Sequence, residues 1–258
     1  MDKSALLAEV VRLAEVVGKR IMALYAQGFV VERKADMSPV TAADREAEAL
    51  ILAELARLAP GIPILSEEAS AAGKAPAPGR RFWLVDPLDG TREFTERIGE
   101  FTVNIALIED GIPVLGVVHL PVEGETYASC GPGTASKRTA SGTQMIAARA
   151  PAKDGLVMLT SRFHIDERKL ESFLERYLAK TGERIKSRTR AGSALKFCLV
   201  AAGEADFYPR LGPTMEWDTA AGHALVLAAG GRIETLDGGA LRYGKPGLRN
   251  PDFIVRGR

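Results

Sequence analysis

"EFTVNIALIEDGIPVLGVVHLP", residues 100–121, restricts the fold more than any other stretch of this chain. Two β-rich runs flank Glu109-Asp110-Gly111, and the Asp-Gly pair supplies the positive φ that a tight hairpin turn needs. "ETYASC" adds a third antiparallel strand, while "RFWLVD" and "IPILSEE" supply apolar strands upstream. Helical spacing of Leu6, Val10, Leu13, Val17, Ile21 and Leu24 predicts an amphipathic helix over 4–26. A second helix is expected in "VTAADREAEALILAELARL", with Thr41 as N-cap, Asp44 three residues on and Pro60-Gly61 as terminator. Residues 69–80, "ASAAGKAPAPGR", read as a mobile loop. Residues 1–150 are therefore expected to place helices on an antiparallel sheet.

Past a Gly/Ser/Thr-rich stretch at 131–142 the pattern changes. "GLVMLTS" and "ADFYPR" read as strands, as do "GRIETL" and "DFIVR" near the end of the chain. Between them lie three helical patterns: "IDERKLESFLERYLAKTG" closed by Gly182, "SALKFCLVAAG", and "DTAAGHALVLAAGG" ended by two glycines. Such alternation implies a layered α/β half over 151–258. The fold class expected for the whole is mixed α/β.

Bulk charge narrows the partners. The formal net charge is +1, so nothing pulls this chain as a whole toward nucleic acid or anionic lipid, and an anionic ligand must be caught by local charge. Glu9, Arg12 and Glu15 interrupt the first apolar segment, which excludes a signal peptide, and no uncharged run approaches the ~20 residues of a membrane span. Cys130 and Cys198 lie in no metal-binding or redox motif and are expected to be reduced thiols. A soluble, cytoplasmic protein follows as the expectation; peripheral association with the inner face of a membrane stays open.

Acidic residues gather where these elements end. Glu67 and Glu68 follow "IPILS", Asp86 ends "FWLV", Asp89 sits in the next turn, and Asp218 opens a helix. Carboxylates so placed suit a hard divalent cation such as Mg2+, and the Leu88 carbonyl lies between two of them. Gly90-Thr91 can present backbone amides to an anion at the start of the next helix. Metal-binding carboxylates beside anion-binding amides describe a phosphate-ester site. Each acid taken alone also has a plain structural reading: Asp44 as half of a capping box, Asp218 as an N-cap, Asp86 and Asp89 as turn formers.

"WLVDPLDGT" and "EWDTAAGHALVLAAGG", with "LSEE" and "VTAADREAE" in order before them, resemble the signatures of the inositol monophosphatase superfamily of Mg2+-dependent, lithium-sensitive phosphatases. The resemblance runs from about Ser38 to Gly231. It implies a five-layered α-β-α-β-α sandwich, two or three Mg2+ ions per active site, and metal ligation by Glu67, Asp86, the Leu88 carbonyl, Asp89 and Asp218. It also implies that Thr91, bonded to Asp44, helps Glu67 orient and deprotonate the attacking water, with the Gly90 and Thr91 amides on the phosphate. "DPLDGTREF", "TSRFH" and "GPTMEWDTAAGHA" are closest to the 3'(2'),5'-bisphosphate nucleotidase branch. That branch removes the 3'-phosphate of adenosine 3',5'-bisphosphate, and in some cases of its 5'-phosphosulfate relative, in sulfur assimilation. By the same resemblance Ser161, His164, Ser193 and Lys196, with Asp89 and Asp218, are candidate substrate contacts. Arg92 stands where the branch usually has lysine. Inositol monophosphatase or fructose-1,6-bisphosphatase activity is the alternative, and monomer or homodimer is left open.

A second, non-reacting phosphate needs cations of its own. Arg162, His164, Arg190, Lys196 and Arg210 lie around the second-half motifs and are candidates, each with solvated surface charge as the plainer reading. Phe163 and Tyr208 are candidates to stack on a base or to pack in the core, whereas His119 and His223 are expected to be structural.

Overall fold

The Asp110-Gly111 hairpin forms as expected and becomes the middle of a large sheet. In the computed structural model, which describes residues 2–33, 39–163 and 165–258, both turn residues have positive φ, 50° and 75°. The chain begins with α1 (Lys3–Gln27), a two-residue ladder of β1 (Glu32–Arg33) and β2 (Pro39–Val40), and α2 (Ala42–Leu58). Then come β3 (Ile64–Ser66), α3 (Glu67–Ala71), β4 (Arg81–Asp89), α4 (Thr91–Thr95), β5 (Thr102–Glu109), β6 (Ile112–Leu120) and β7 (Glu125–Ser129). With β8 (Ser136–Thr139) and β9 (Gly142–Met145) these strands make a seven-stranded sheet in order β3-β4-β5-β6-β7-β8-β9. Only the β3–β4 pair is parallel.

The second sheet is built from β10 (Leu156–Ser161), α5 (Glu167–Thr181), β11 (Ile185–Ala191), α6 (Leu195–Ala201), β12 (Phe207–Arg210), α7 (Glu216–Ala228), β13 (Arg232–Thr235) and β14 (Phe253–Arg256). Its order is β11-β10-β12-β14-β13, parallel across the first three strands and antiparallel at β14.

Three apolar layers hold five layers of structure together. The inner stripes of α1 and α2 (Val10, Val17, Ala47, Ile51) pack on one face of β4–β6 through Trp83, Val85, Ile105 and Val117. The other face of that sheet (Leu84, Ala106, Val118) meets α6 and α7, which in turn cover β12 and β14 through Tyr208, Phe253 and Val255. Leu170 and Leu174 of α5 close the far side against Met158, Phe207 and Ile254. The result is the expected α-β-α-β-α sandwich. Alternating strand side chains make it possible, because the central strands such as β4 and β5 bury residues on both faces.

Several expectations need correction. Glu67 and Glu68 open the short helix α3, so the loop expected from Ala69 begins only after Ala71. Strands not among those expected are β8, within the Gly/Ser/Thr-rich stretch at 131–142, β9, which starts at its end, and β11, formed by the charged run "IKSRTRA". α7 begins at Glu216, so Asp218 is the third helical residue and not its N-cap; its carboxylate instead accepts from the Met215 amide at 2.8 Å. Both cysteines are free, and burial pushes the Cys198 thiol up, away from reactivity. Among the described residues no helix is long and apolar enough to cross a membrane.

Candidate active site

β4 ends in an irregularity that decides the site's geometry. Its register against β5 shifts between Asp86 and Asp89, which turns both carboxylates toward the gap between the two sheets. The Leu88 amide donates to Asp86 Oδ1 at 3.1 Å and shapes the turn. Gly90 then takes φ 91°, a left-handed conformation that suits glycine, and α4 starts at Thr91. A cavity of about 270 Å3 opens there, lined by Glu67, Asp86, Leu88, Asp89, Gly90, Thr91 and Asp218 from the elements just described. Ser193, Lys196, Tyr208, Arg210 and Thr214 complete its wall from the second half of the chain.

The carboxylates feel one another. Asp86 is held well above the usual carboxylate range, first by burial and then by the charges of Glu67, Asp89 and Asp218, with a hydrogen bond to Glu67. Asp218 is raised by burial and by Asp89, although the Met215 amide works against the shift. Asp89 is raised by burial alone; Lys196, Asn104 and the Ala194 amide pull it back. Four acids around one cavity are therefore a repulsive arrangement that a cation would relieve. Their oxygens, with the Leu88 carbonyl, are the hard donor set that suits Mg2+. As placed, no three acidic, histidine or cysteine side chains among the described residues close into a finished ligand cluster.

Asp44 serves two partners at once. Its Oδ2 accepts from Thr41 N–H and from Thr41 Oγ1, each at 2.7 Å, which is the capping box of α2. Its other oxygen, Oδ1, accepts from Thr91 Oγ1 at 3.2 Å. Thr91 Oγ1 also lies 3.3 Å from the Leu88 carbonyl. The buried cap thereby fixes the orientation of a hydroxyl on the cavity wall.

Other candidates fall in different places. Lys196 is 4% exposed and donates to the Ala191 and Ser193 carbonyls at 3.1 and 2.6 Å. Arg210 is buried and donates to Ser161 Oγ at 2.6 Å and to the Pro213 carbonyl at 2.8 Å, so Ser161 stands behind Arg210 and does not line the cavity. Arg162 pairs with Glu100, and Arg190 lies on the surface beside Glu167. Phe163 lies under the Arg92 guanidinium, 4.0 Å from its ring centre, while Tyr208 both lines the cavity and packs edge-on against Phe197 and Phe253. His164 lies outside the described residues. His119 bonds Thr126 and His223 bonds Tyr243, both away from the cavity.

Sequence reasoning missed Asn104 and Glu100. Asn104 Nδ2 donates to Asp89 Oδ2 at 3.1 Å and aims that carboxylate. The signal available was a polar Thr102-x-Asn104 pair facing one side of an otherwise apolar strand.

Comparison with known proteins agrees with this fold. A family model described as the inositol monophosphatase family matches residues 2–255. The 3'(2'),5'-bisphosphate nucleotidase CysQ of Salmonella typhimurium is 47% identical over 253 residues, covering 97% of this chain and 99% of that protein. Its Escherichia coli K12 counterpart is 46% identical over the same length. Among solved structures, CysQ from Bacteroides thetaiotaomicron superposes with TM-score 0.79 at 36% identity, covering 99% of this chain and 97% of the other. An inositol monophosphatase from Zymomonas mobilis gives TM-score 0.78 at 27% identity, with 99% and 94% covered. This chain belongs to the inositol monophosphatase family.

Proposed function

We propose that the protein is a Mg2+-dependent 3'(2'),5'-bisphosphate nucleotidase that hydrolyses the 3'-phosphate of adenosine 3',5'-bisphosphate to AMP and phosphate, and also accepts the 5'-phosphosulfate analogue. One observation carries the reading: four carboxylates, a backbone carbonyl and the start of α4 share a single cavity, in a chain nearly half identical to proteins named for this reaction. Glu67, Asp86, the Leu88 carbonyl, Asp89 and Asp218 would hold two or three Mg2+ ions, whose chemistry is to acidify a bound water and to neutralise charge on the phosphoryl and leaving oxygens.

The chain's own residues do the rest. Glu67 and the Thr91 hydroxyl orient the attacking water, and the proton it sheds is taken up at Glu67. Thr91 can accept a hydrogen bond from that water because its own proton is committed to Asp44 Oδ1. The Gly90 and Thr91 amides, which precede any intrahelical partner, face the phosphoryl oxygens. Lys196 and Arg210 bring positive charge to the opposite wall, where a second, non-reacting phosphate would lie. Ser193 stands beside them.

A substrate panel tests the reading. Phosphate release is measured with adenosine 3',5'-bisphosphate, its phosphosulfate analogue, inositol 1-phosphate and fructose 1,6-bisphosphate, in Mg2+ with and without Li+. The expected result is the highest kcat/KM on the bisphosphate nucleotide, with inhibition by Li+. Higher kcat/KM on either sugar or polyol phosphate overturns the nucleotide assignment while leaving a phosphatase. Asp89→Asn is expected to cut turnover by at least about a hundredfold, since it removes one of the charged oxygen donors that would hold Mg2+, while the protein stays folded. Full activity in that variant at saturating Mg2+ overturns the site itself.

A further inference from the structure

We infer that Glu100 is a positioning residue that sets the substrate-side wall of the cavity. The inference rests on the nucleotide reading for its substrate but not for its structural half. Glu100 lies just ahead of β5, on the first sheet's side of the gap, yet all its partners come from the second half of the chain. Its carboxylate accepts from Arg162 Nε and Nη2 at 3.0 and 2.5 Å and from the Gly192 amide at 2.6 Å. Arg162 follows β10 and Gly192 follows β11, so one side chain fastens two loops of the second sheet to the first. Such a two-pronged pair with charge-assisted bonds is geometrically exacting.

The loop it holds is under tension. Ser193, next in sequence, has φ 38°, a left-handed conformation that costs a non-glycine residue free energy unless its surroundings impose it. The surroundings are tight: a side chain on Gly192 would come within 2.7 Å of the Glu100 carbonyl oxygen and 2.9 Å of Glu93 Oε1. From this constrained turn the Ala191 and Ser193 carbonyls reach the Lys196 ammonium at 3.1 and 2.6 Å. Ser193 and Lys196 line the cavity, whereas Glu100 does not. Glu100 therefore acts on substrate only through them. Without it the turn relaxes, the two carbonyls part, and Lys196 loses the anchor that keeps its charge on the wall.

A contact made equally to bound substrate and to transition state shows in KM and not in kcat. Glu100→Ala is expected to raise KM for adenosine 3',5'-bisphosphate about tenfold, the loss of one charge-assisted hydrogen bond, with kcat within about threefold. Glu100→Gln, which keeps an acceptor for Gly192, should fall between. Because both prongs belong to one clamp, Glu100→Ala/Arg162→Ala should be no worse than Glu100→Ala alone. Glu183→Gln, at an ion pair with Arg256 away from the cavity, serves as a stability control with KM unchanged. Hydrogen exchange of residues 191–196 is read alongside and needs no turnover; it should quicken in Glu100→Ala. An unchanged KM in both Glu100 variants, strictly additive losses, or unaltered exchange in 191–196 overturns the inference. If the wild type releases no phosphate from the nucleotide, the functional reading fails and the exchange result still decides the clamp. If Glu100→Ala does not fold, Glu100→Gln carries both measurements, and wild-type values there overturn the inference.

Discussion

Thr91 and Asp44 show how one residue can be both structural and functional, and how to separate the two roles. Asp44 completes the α2 capping box with one oxygen and holds Thr91 with the other. Asp44→Asn should therefore lower stability by about 1 kcal/mol through the weakened cap and also lower turnover. Thr91→Ala touches only the second role, so kcat should drop about a hundredfold, the usual scale of a lost proton-handling group, with thermal midpoint nearly unchanged. Parallel kinetics and melting curves check this; a Thr91→Ala enzyme with wild-type kcat would remove Thr91 from the proton path. At this scale the sequence was informative where spacing alone carried the geometry. Thr41 and Asp44 stand three apart, and Asp86 and Asp89 flank a Pro-Leu turn. It offered only a polar residue in an apolar strand for Asn104, whose partner Asp89 lies on the neighbouring strand, and nothing for Glu100, whose partner Gly192 lies 92 residues away in the other half of the fold. No local pattern encodes such pairs.

Among the elements, those with a buried face were legible and those without were not. α1, β4, the β5–β6 hairpin and α7 announce themselves because apolar residues recur at the period that puts them inside. β11 does not: "IKSRTRA" is an edge strand whose outward residues are charged, and Arg188 and Arg190 pair with Glu167 on α5. Charge on an edge strand blocks pairing with another chain and also hides the strand from a hydropathy reading. β8 and β9, lying at the opposite edge of the other sheet, are polar for the same reason. The element with the least freedom is α7, which carries Asp218. A side chain on Gly116 of β6 would approach the Ala221 carbonyl oxygen to 2.5 Å, and one on Gly222 would approach Phe197 of α6 to 2.4 Å. α7 is thus gripped from the sheet on one side and from α6 on the other. Gly116→Ala should cost about 1–3 kcal/mol by forcing the layers apart, read as a lower denaturant midpoint. It should also reduce kcat by moving Asp218 relative to Asp86. Unchanged stability would show that the sheet and α7 yield more readily than this packing implies.

At the scale of the whole molecule, two buried populations titrate with opposite signs, and metal separates them. Burial holds His119 at about 4 and His223 at about 3, both below the ordinary 6.5, so each is neutral in the fold. Their folded pKa values are depressed. The stability tied to neutral imidazole is therefore complete above about pH 6.5 and drains away as pH falls through 4, on the order of 3 kcal/mol for His119 alone. Asp86 and Asp218 behave in reverse, because their folded pKa values are raised. Over the window above 3.8 the folded state keeps protons that the unfolded chain has shed, so burial of their charges, and then their mutual repulsion, subtracts stability as pH rises. Mg2+ acts only on the second population. At a hundredfold excess over its dissociation constant it should add about 2.7 kcal/mol at neutral pH, and the gain should shrink on acidification as protons displace it. Melting curves from pH 7.5 to 4.5, with Mg2+ and with chelator, should therefore share the acid-side loss due to the histidines and differ by a gap that narrows toward low pH. His223→Gln should flatten the shared acid limb, while Asp218→Asn should close most of the gap and, in chelator, steepen that limb, because it removes a group whose protonation offsets part of the histidine loss. A gap that persists unchanged at pH 4.5, or that survives in Asp218→Asn, would place the metal's stabilising contacts away from these carboxylates.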